Sequence, residues 1–405
     1  MSEQTQPPVL PWDSHNQKLV SNVHPQDWKN PTPVKRYNLV VIGGGTAGLV
    51  SAIGAAGLGA KVALIEKHFL GGDCLNVGCV PSKALIRCAN AFVQARESRM
   101  FGVQVPETLE VDFGAVMERV RAVRATLAPR DSARRFQDLG VDVFLGEARF
   151  TGKDQVQVGD QTLRFTRACI ATGSRALAPP VFGLAAAGFL TNQTVFSLTK
   201  LPRRLVVIGG GSTGCELAQA FARLGSRVTL IEAGPRLLPR EDREAAAFVE
   251  EALRREGVTL RLSARVGRVE RRDDERVLSF SDEGEASILT DQILVATGRR
   301  PMVEGLHLEA AKVDYDERDG VRVDDFLRTT NSDVYAAGDC CTAHRYTHVA
   351  DAMSRIVLKN ALLFGRERAS SLAIPWVTFT DPEIAHVGLT EREAREQGLA
   401  LRTVR

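Results

Sequence analysis

A glycine-rich turn with an acidic partner occurs twice in this 405-residue chain, and the repeat constrains the fold more than any other feature. The apolar stretch 38–42 runs into Gly43-Gly44-Gly45-Thr46-Ala47-Gly48, a helical pattern follows through Gly59, and a second apolar stretch, 61–65, closes on Glu66. Leu205 to Ile208 then leads into Gly209-Gly210-Gly211-Ser212-Thr213-Gly214, and Arg227 to Ile231 closes on Glu232. Every landmark is displaced by 166 residues, from Gly43 to Gly209 and from Glu66 to Glu232. Gly43, Gly45 and Gly48 permit a tight turn, the close approach of a pyrophosphate and close helix packing, and Gly209, Gly211 and Gly214 repeat them. Glu66 and Glu232 stand where a carboxylate accepts a ribose hydroxyl. The fold class expected is α/β, with two doubly wound dinucleotide-binding domains.

Just beyond the first unit, Gly71-Gly72-Asp73-Cys74-Leu75-Asn76-Val77-Gly78-Cys79-Val80-Pro81-Ser82-Lys83 sets two cysteines five residues apart at the head of a helical pattern. Two thiols that close can form a redox pair. A zinc site needs two more ligands at matching spacing, and no second cysteine pair or paired histidines follow nearby, so no metal centre is expected. Two nucleotide folds with a dithiol beside them offer an electron path from one bound nucleotide to another and on to sulfur.

The run from Gly71 to Lys83 resembles the redox-active disulfide signature of the flavin-dependent pyridine nucleotide disulfide oxidoreductases, the family of dihydrolipoamide dehydrogenase, glutathione reductase and mercuric reductase. Pro81-Ser82-Lys83 is similar to the dihydrolipoamide and mercuric branches, and Glu216 to Ser226 with Pro239-Arg240-Glu241-Asp242 is similar to the mercuric one. Thr329 to Asp339 resembles the family's third flavin signature.

The resemblance implies FAD on the first unit, held by Gly43, Gly45, Gly48, Glu66, Gly72, Lys83, Gly146, Ala148, Thr172, Gly173, Ser174, Asp339, Thr347 and His348. It implies NAD(P) on the second, held by Gly209, Gly211, Gly214, Glu232, Val266 and Gly298. Electrons would pass from NAD(P)H through flavin to a Cys74–Cys79 disulfide, with Cys79 facing the flavin as the charge-transfer thiolate and Cys74 exchanging with substrate. Lys83 would place a positive charge near the flavin N5, paired with Glu216. The helix opening at Thr347-His348 would aim its positive end at the flavin. The catalytic set is thus Cys74, Cys79, Lys83 and Glu216. Glu232 favours NADH over NADPH by repelling a 2′-phosphate, although Arg236 lies just beyond it.

The domain boundaries expected are an N-terminal arm at 1–35, a discontinuous FAD domain at 36–175 and 300–368, an NAD(P) domain at 176–299, and the opening of an incomplete α+β dimerisation domain at 369–405. The arm reads as an irregular strap, with packing roles for Trp12 and Trp28. Val141 to Ile170 and Thr259 to Val295 read as antiparallel meanders, and 111–139 as a helix pair with a new cap at Asp131 or Ser132. The net charge of +3, spread over 52 basic and 49 acidic residues, carries no footprint of nucleic acid or membrane binding. Seven cysteines in a chain whose start lacks the pattern of a secretory signal point to a cytoplasmic protein rather than a disulfide framework.

The family's histidine–glutamate general base, its mercuric C-terminal cysteine pair and the metal-binding module that some mercuric reductases carry in front have no counterpart among these residues. The resemblance nevertheless implies a mercuric reductase-like disulfide oxidoreductase acting on a small thiol, disulfide or metal-ion substrate, a homodimer in the full-length family. Dihydrolipoamide dehydrogenase and a non-catalytic flavin-binding fragment stand as alternatives. Cys88, Cys169 and Cys215 read as core residues, and Cys340-Cys341 as a pair close to the flavin that could bridge only in a strained ring.

Overall fold

The computed structural model describes residues 9–281 and 285–404; the first eight residues of the expected arm, three residues of the second meander and residue 405 lie outside them. The chain forms two compact units. One comprises residues up to 81 with 120–175 and 299–372; the other comprises 82–119, 176–298 and 373 onward.

The arm of the first unit is not an irregular strap. It carries a helix, α1 (Ser14–Val23), which Asp13 caps by accepting from Asn16 N at 2.9 Å. Leu19, Val20 and Val23 fall on one face and are buried, so a short apolar stripe decides the conformation of an otherwise polar segment. Trp28 Nε1 donates to Val143 O at 3.1 Å, whereas Trp12 stays 51 % exposed.

Strand β1 (Tyr37–Ile42), helix α2 (Thr46–Gly57) and β2 (Val62–Glu66) make the first strand–helix–strand unit, with Leu39 opposite Val62 and Ile42 opposite Ile65 in parallel register. Then follow α3 (Gly72–Asn76), α4 (Cys79–Glu97), α5 (Phe113–Leu127) and α6 (Ala133–Asp138), the last capped by Ser132 Oγ. β3 (Val141–Leu145) pairs β2 in parallel, so it extends the sheet instead of opening the meander. Its buried apolar residues suit a parallel strand. The meander is β4 (Ala148–Gly152), β5 (Gln155–Val158) and the first half of β6 (Gln161–Ile170). The second half of β6 turns parallel and joins β1 on one side and the strand Val334–Ala336 on the other. Against this sheet the helix Thr347–Leu362 packs on α2, so closely that a Cβ on Gly54 would meet Leu358 Cδ1 at 2.3 Å.

In the second unit the strands Thr259–Arg261, Arg227–Ile231, Arg204–Ile208 and Gln292–Val295 lie in that order, all parallel. The expected meander again keeps only its middle: the antiparallel strands are Arg265–Arg272, Glu275–Ser281 and Glu285–Thr290, while the flanking segments belong to the parallel sheet. The helix Ser212–Arg223 follows the second glycine turn. Two short antiparallel strands, Trp376–Thr378 and Ile384–His386, precede a helix, Glu391–Glu396, closed by a capping box between Thr390 and Glu393. No helix among the described residues is long and apolar enough to cross a membrane.

Candidate functional site

In the first unit the turn after β1 is closed by its own main chain. A Cβ on Gly43, whose φ is +109°, would lie 2.3 Å from Ala171 O, and one on Gly48 would lie 1.7 Å from Gly43 O. Neither position accepts a side chain. No side chain caps α2 at Gly45, so its first amides remain available to an anion. Gly45 faces Gly72, where a Cβ would lie 2.6 Å from Gly45 Cα, leaving a cradle of bare backbone that fits a pyrophosphate. Glu66 accepts from Gly44 N and His68 N, each at 2.6 Å, and its burial pushes the carboxyl upward against the pull of those amides. Gly146 N donates to Glu66 O at 2.9 Å, and Ala148 opens β4 with its side chain in the core.

The end of β6 carries the next group. Thr172 Oγ1 donates to Met302 O at 2.6 Å, Gly173 O accepts from Met302 N at 3.0 Å, and Ser174 Oγ donates to Asp339 Oδ2 at 2.6 Å. Burial raises the Asp339 carboxyl, while Ser174 and Arg299 oppose the rise. Arg299 Nε donates to Ser174 Oγ at 2.7 Å, and its Nη2 pairs with Asp73, the residue before Cys74. The sequence reading missed this tie, because no spacing links residues 226 positions apart.

Cys74 sits in the five-residue α3, and Cys79 begins α4. They are not bonded to each other, and the Cys79 thiol is a hydrogen-bond partner of Cys74. Cys79 Sγ stands 3.2 Å from Thr347 Oγ1, the first residue of the 16-residue helix Thr347–Leu362, whose N-terminus no side chain caps. That neighbouring sulfur, then burial, drives the Cys74 thiol far above its ordinary range, with Asp131 adding a smaller push in the same direction. Cys74 therefore keeps its proton at pH values where an ordinary cysteine ionises, beside a Cys79 sulfur that lies at a helix N-terminus. Asp131 Oδ2 would lie 3.0 Å from a Cβ on Gly71, so a half-buried carboxylate, its own affinity for a proton raised by burial, also borders this stretch. His348 is exposed and stacks on Tyr346 at 5.5 Å between ring centroids.

The second unit repeats the close approaches of the first turn. Cβ atoms on Gly209 and Gly214 would meet Ala296 O at 2.5 Å and Gly209 O at 1.9 Å, while one on Gly211 would meet nothing within 4 Å. Glu232 accepts from Gly210 N and Gly234 N, each at 2.6 Å. No side chain caps the Ser212 helix, so this cradle also fits a pyrophosphate. Gly298 O accepts from Leu177 N at 3.0 Å, and Val266 packs against the core below the meander.

Lys83 Nζ donates to Glu216 Oε2 at 2.8 Å, and Glu216 Oε1 accepts from Phe379 N at 2.9 Å. Lys83 also lies over the Phe379 ring, 4.4 Å from its centroid. One helical turn on from Glu216, Gln219 exchanges hydrogen bonds with Asp381 N and O at 2.8 and 2.9 Å. Arg223 then reaches Asp381 Oδ2 at 2.9 Å and Glu256 Oε1 at 2.6 Å. The Ser212 helix thus presents three residues of one face, at i, i+3 and i+7, to the segment 379–381. Gln219 and Arg223 lie within the stretch that resembles the mercuric branch, but nothing in the sequence ties them to Asp381.

A family model described as pyridine nucleotide-disulphide oxidoreductase matches residues 37–355, and one described as the dimerisation domain of that family matches residues 374–405. The chain is 36 % identical over 368 residues to mercuric reductase from Bacillus cereus, covering 91 % of this chain and 58 % of that protein. It is 38 % identical over 379 residues to mercuric reductase from Streptomyces lividans, covering 91 % and 78 %. It is 37 % identical over 380 residues to dihydrolipoyl dehydrogenase from Thermus scotoductus, covering 90 % and 79 %. The solved structure of the HOCl-induced flavoprotein disulfide reductase RclA from Escherichia coli is 32 % identical, with a TM-score of 0.80 over 89 % of this chain and 80 % of that one. The chain therefore spans between about half and four fifths of the length of these relatives.

Proposed function

The chain belongs to the pyridine nucleotide-disulphide oxidoreductases, and from that premise we propose that it moves electrons from NADH through FAD to the Cys74–Cys79 pair and on to a small disulfide or soft metal-ion acceptor. The observation that carries this reading is the placement of Cys79 Sγ 3.2 Å from Thr347 Oγ1, at the open N-terminus of a long helix. A thiolate there is stabilised by the helix dipole and a hydroxyl, while its partner Cys74 retains the proton needed to release a reduced product.

The bound flavin supplies the step from two-electron hydride chemistry to sulfur. The residues of the chain do the rest. The Gly43–Gly48 turn with Glu66, Ser174 and Asp339 binds and orients the FAD, and the Gly209–Gly214 turn with Glu232 binds the nicotinamide nucleotide. Glu216 positions the Lys83 ammonium, the charge assigned to the flavin ring. Cys79 takes the first sulfur–electron exchange, and Cys74 attacks the acceptor once it has given up its proton.

NADH is favoured over NADPH on two grounds. Glu232 would repel a 2′-phosphate, and Arg236 is spent on its own turn: its guanidinium donates to Leu238 O and Glu241 O at 3.1 Å and to Pro239 O at 2.7 Å. Such a committed arginine is not a phosphate receptor. A second copy of the chain is the protein partner this reading implies, and Val387, Leu389, Leu399 and Leu401, 43 to 70 % exposed in the segment matched by the dimerisation model, suit that contact. The cytoplasm, where thiols stay reduced, is the compartment that fits.

NADH oxidation assayed with an aromatic disulfide, with a mercuric–thiol complex and with lipoamide tests the reading. Turnover on one of the first two that disappears in Cys74→Ser is expected; turnover on lipoamide alone would move the assignment to dihydrolipoamide dehydrogenase. Equal rates in the wild type and Cys74→Ser would overturn the role given to the pair.

A further inference from the structure

The bend between the two cysteines is held from behind, by residues outside both nucleotide cradles. Val77 N donates to Asp73 O at 2.9 Å, and a Cβ on Gly78 would lie 3.5 Å from Cys74 Cα, so the chain doubles back and sets the residue before Cys79 against Cys74. Asn76 secures the inside of this bend: its Nδ2 donates to Leu70 O at 3.0 Å and to Gly72 O at 2.8 Å. Its own carbonyl ends α3, where a helix needs a donor from elsewhere. Arg124 of α5 supplies it, with Nη1 2.8 Å from Asn76 O.

Arg124 is itself fixed by the N-terminal arm. Its Nη2 donates to Asn16 Oδ1 at 2.8 Å, and Asn16, fully buried in α1, donates through Nδ2 to Pro11 O at 2.7 Å. One turn before Arg124, Arg121 pairs with Asp13, the cap of α1. The arm reaches the same segment at two further points, where Leu70 N donates to Val23 O at 3.1 Å and His24 Nδ1 meets His68 O. Arg124 is 5 % exposed, yet the two oxygens it binds are uncharged, and its Nε, also buried, has no partner among the described residues. Burial, with Arg121 pushing the same way, brings its pKa down to about 10, so at neutral pH it is a buried cation held by neutral oxygens. An apolar side chain of similar length would fill this position at less cost, so packing alone does not explain an arginine here.

We infer that Arg124 is a positioning residue for the Cys74–Cys79 pair, and that α1 of the arm holds it in that role. The inference rests on the redox reading of the pair. Pinned at Asn76, the bend keeps the two cysteines together whether or not their sulfurs are bonded. A released bend opens further shapes to the dithiol, while the ring closed by a disulfide gains few, so release favours the reduced form.

The test is the equilibrium of FAD-loaded protein with mixtures of reduced and oxidised dithiothreitol under argon. The Cys74–Cys79 bond breaks, the two thiols of dithiothreitol join in a cyclic disulfide, and two electrons and two protons pass to the protein. Acid quenching, alkylation and mass analysis of the tryptic fragment 68–83, which contains Cys74 and Cys79 and no other cysteine, read the two forms. Arg124→Met is expected to move the equilibrium constant about tenfold toward the dithiol, and Asn16→Ala about threefold in the same direction, the scale of one hydrogen bond from a charged group and of its support. Should Arg124→Met not retain FAD, Asn16→Ala decides. An unchanged constant in the FAD-bearing variants, a shift toward the disulfide, or loss of FAD from both variants would overturn the inference and leave the redox role of the pair standing. A wild-type fragment that stays fully alkylated at every ratio would overturn that role, and the inference with it.

Discussion

Glu66 and Glu232, 166 positions apart in the sequence, hold the same stereochemical post: each accepts one amide from the glycine turn before it and one from two residues after it, all at 2.6 Å. The carboxylate fixes the turn, and in the proposed reading its flank meets a ribose. Two units with the same local solution can still choose different nucleotides, because the choice lies in what stands around the acid.

Replacing Glu232 with alanine is expected to lower kcat/KM for NADH about tenfold, the worth of one charge-assisted hydrogen bond of roughly 1.4 kcal/mol. NADPH should be affected far less, so the ratio of the two specificity constants shrinks. Steady-state kinetics with both coenzymes checks this, and an unchanged ratio would contradict the part given to Glu232.

The two glycine turns should fail separately. Gly214→Ala forces a Cβ to 1.9 Å from Gly209 O, and Gly48→Ala forces one to 1.7 Å from Gly43 O. The first variant should purify yellow and be reduced by dithionite but not by NADH; the second should purify without FAD. Flavin absorbance before and after each reductant distinguishes them.

Much of this was legible in the sequence, for a physical reason. Tight turns, caps and apolar strands are local, so Gly43, Gly48, Glu66 and Ser132 announce their structure within a few residues. α1 escaped because its stripe of Leu19, Val20 and Val23 is short. The strands β3 and Gln292–Val295 read as meander strands from sequence because strand direction depends on a partner far along the chain. The Arg299–Asp73 pair and the grip of Gln219 and Arg223 on 379–381 are likewise long-range, and no periodicity encodes them.

Arg223 gives a stability prediction. Its side chain is 4 % exposed and bonds to Glu256, Asp381 and Asn90. Arg223→Ala leaves Glu256 with Gln219 as its remaining partner and removes one of the ties on the segment 379–381, so a loss of about 3 kcal/mol is expected. Urea unfolding measures it, and a change below about 0.5 kcal/mol would show that the grip contributes little.

Cys74 gives a pH prediction. The Cys79 sulfur is the largest cause holding the Cys74 thiol protonated, with burial second. A raised thiol has less thiolate at any given pH, so alkylation of Cys74 by iodoacetamide in the reduced protein should rise only above the range of an ordinary thiol. Cys79→Ser removes the main cause, and the profile should move to lower pH. Peptide mapping of the Cys74 adduct from pH 7 to 10 checks the direction; a shift upward or none would contradict it.

Anaerobic titration with NADH, in the wild type beside Cys79→Ser, tests the central claim most directly. The wild type should develop a long-wavelength absorption band as electrons reach sulfur and a thiolate forms beside the flavin, and Cys79→Ser should bleach without that band. A band of equal strength in the variant, or a wild type that NADH leaves fully oxidised, would contradict the electron path from nucleotide through flavin to Cys79.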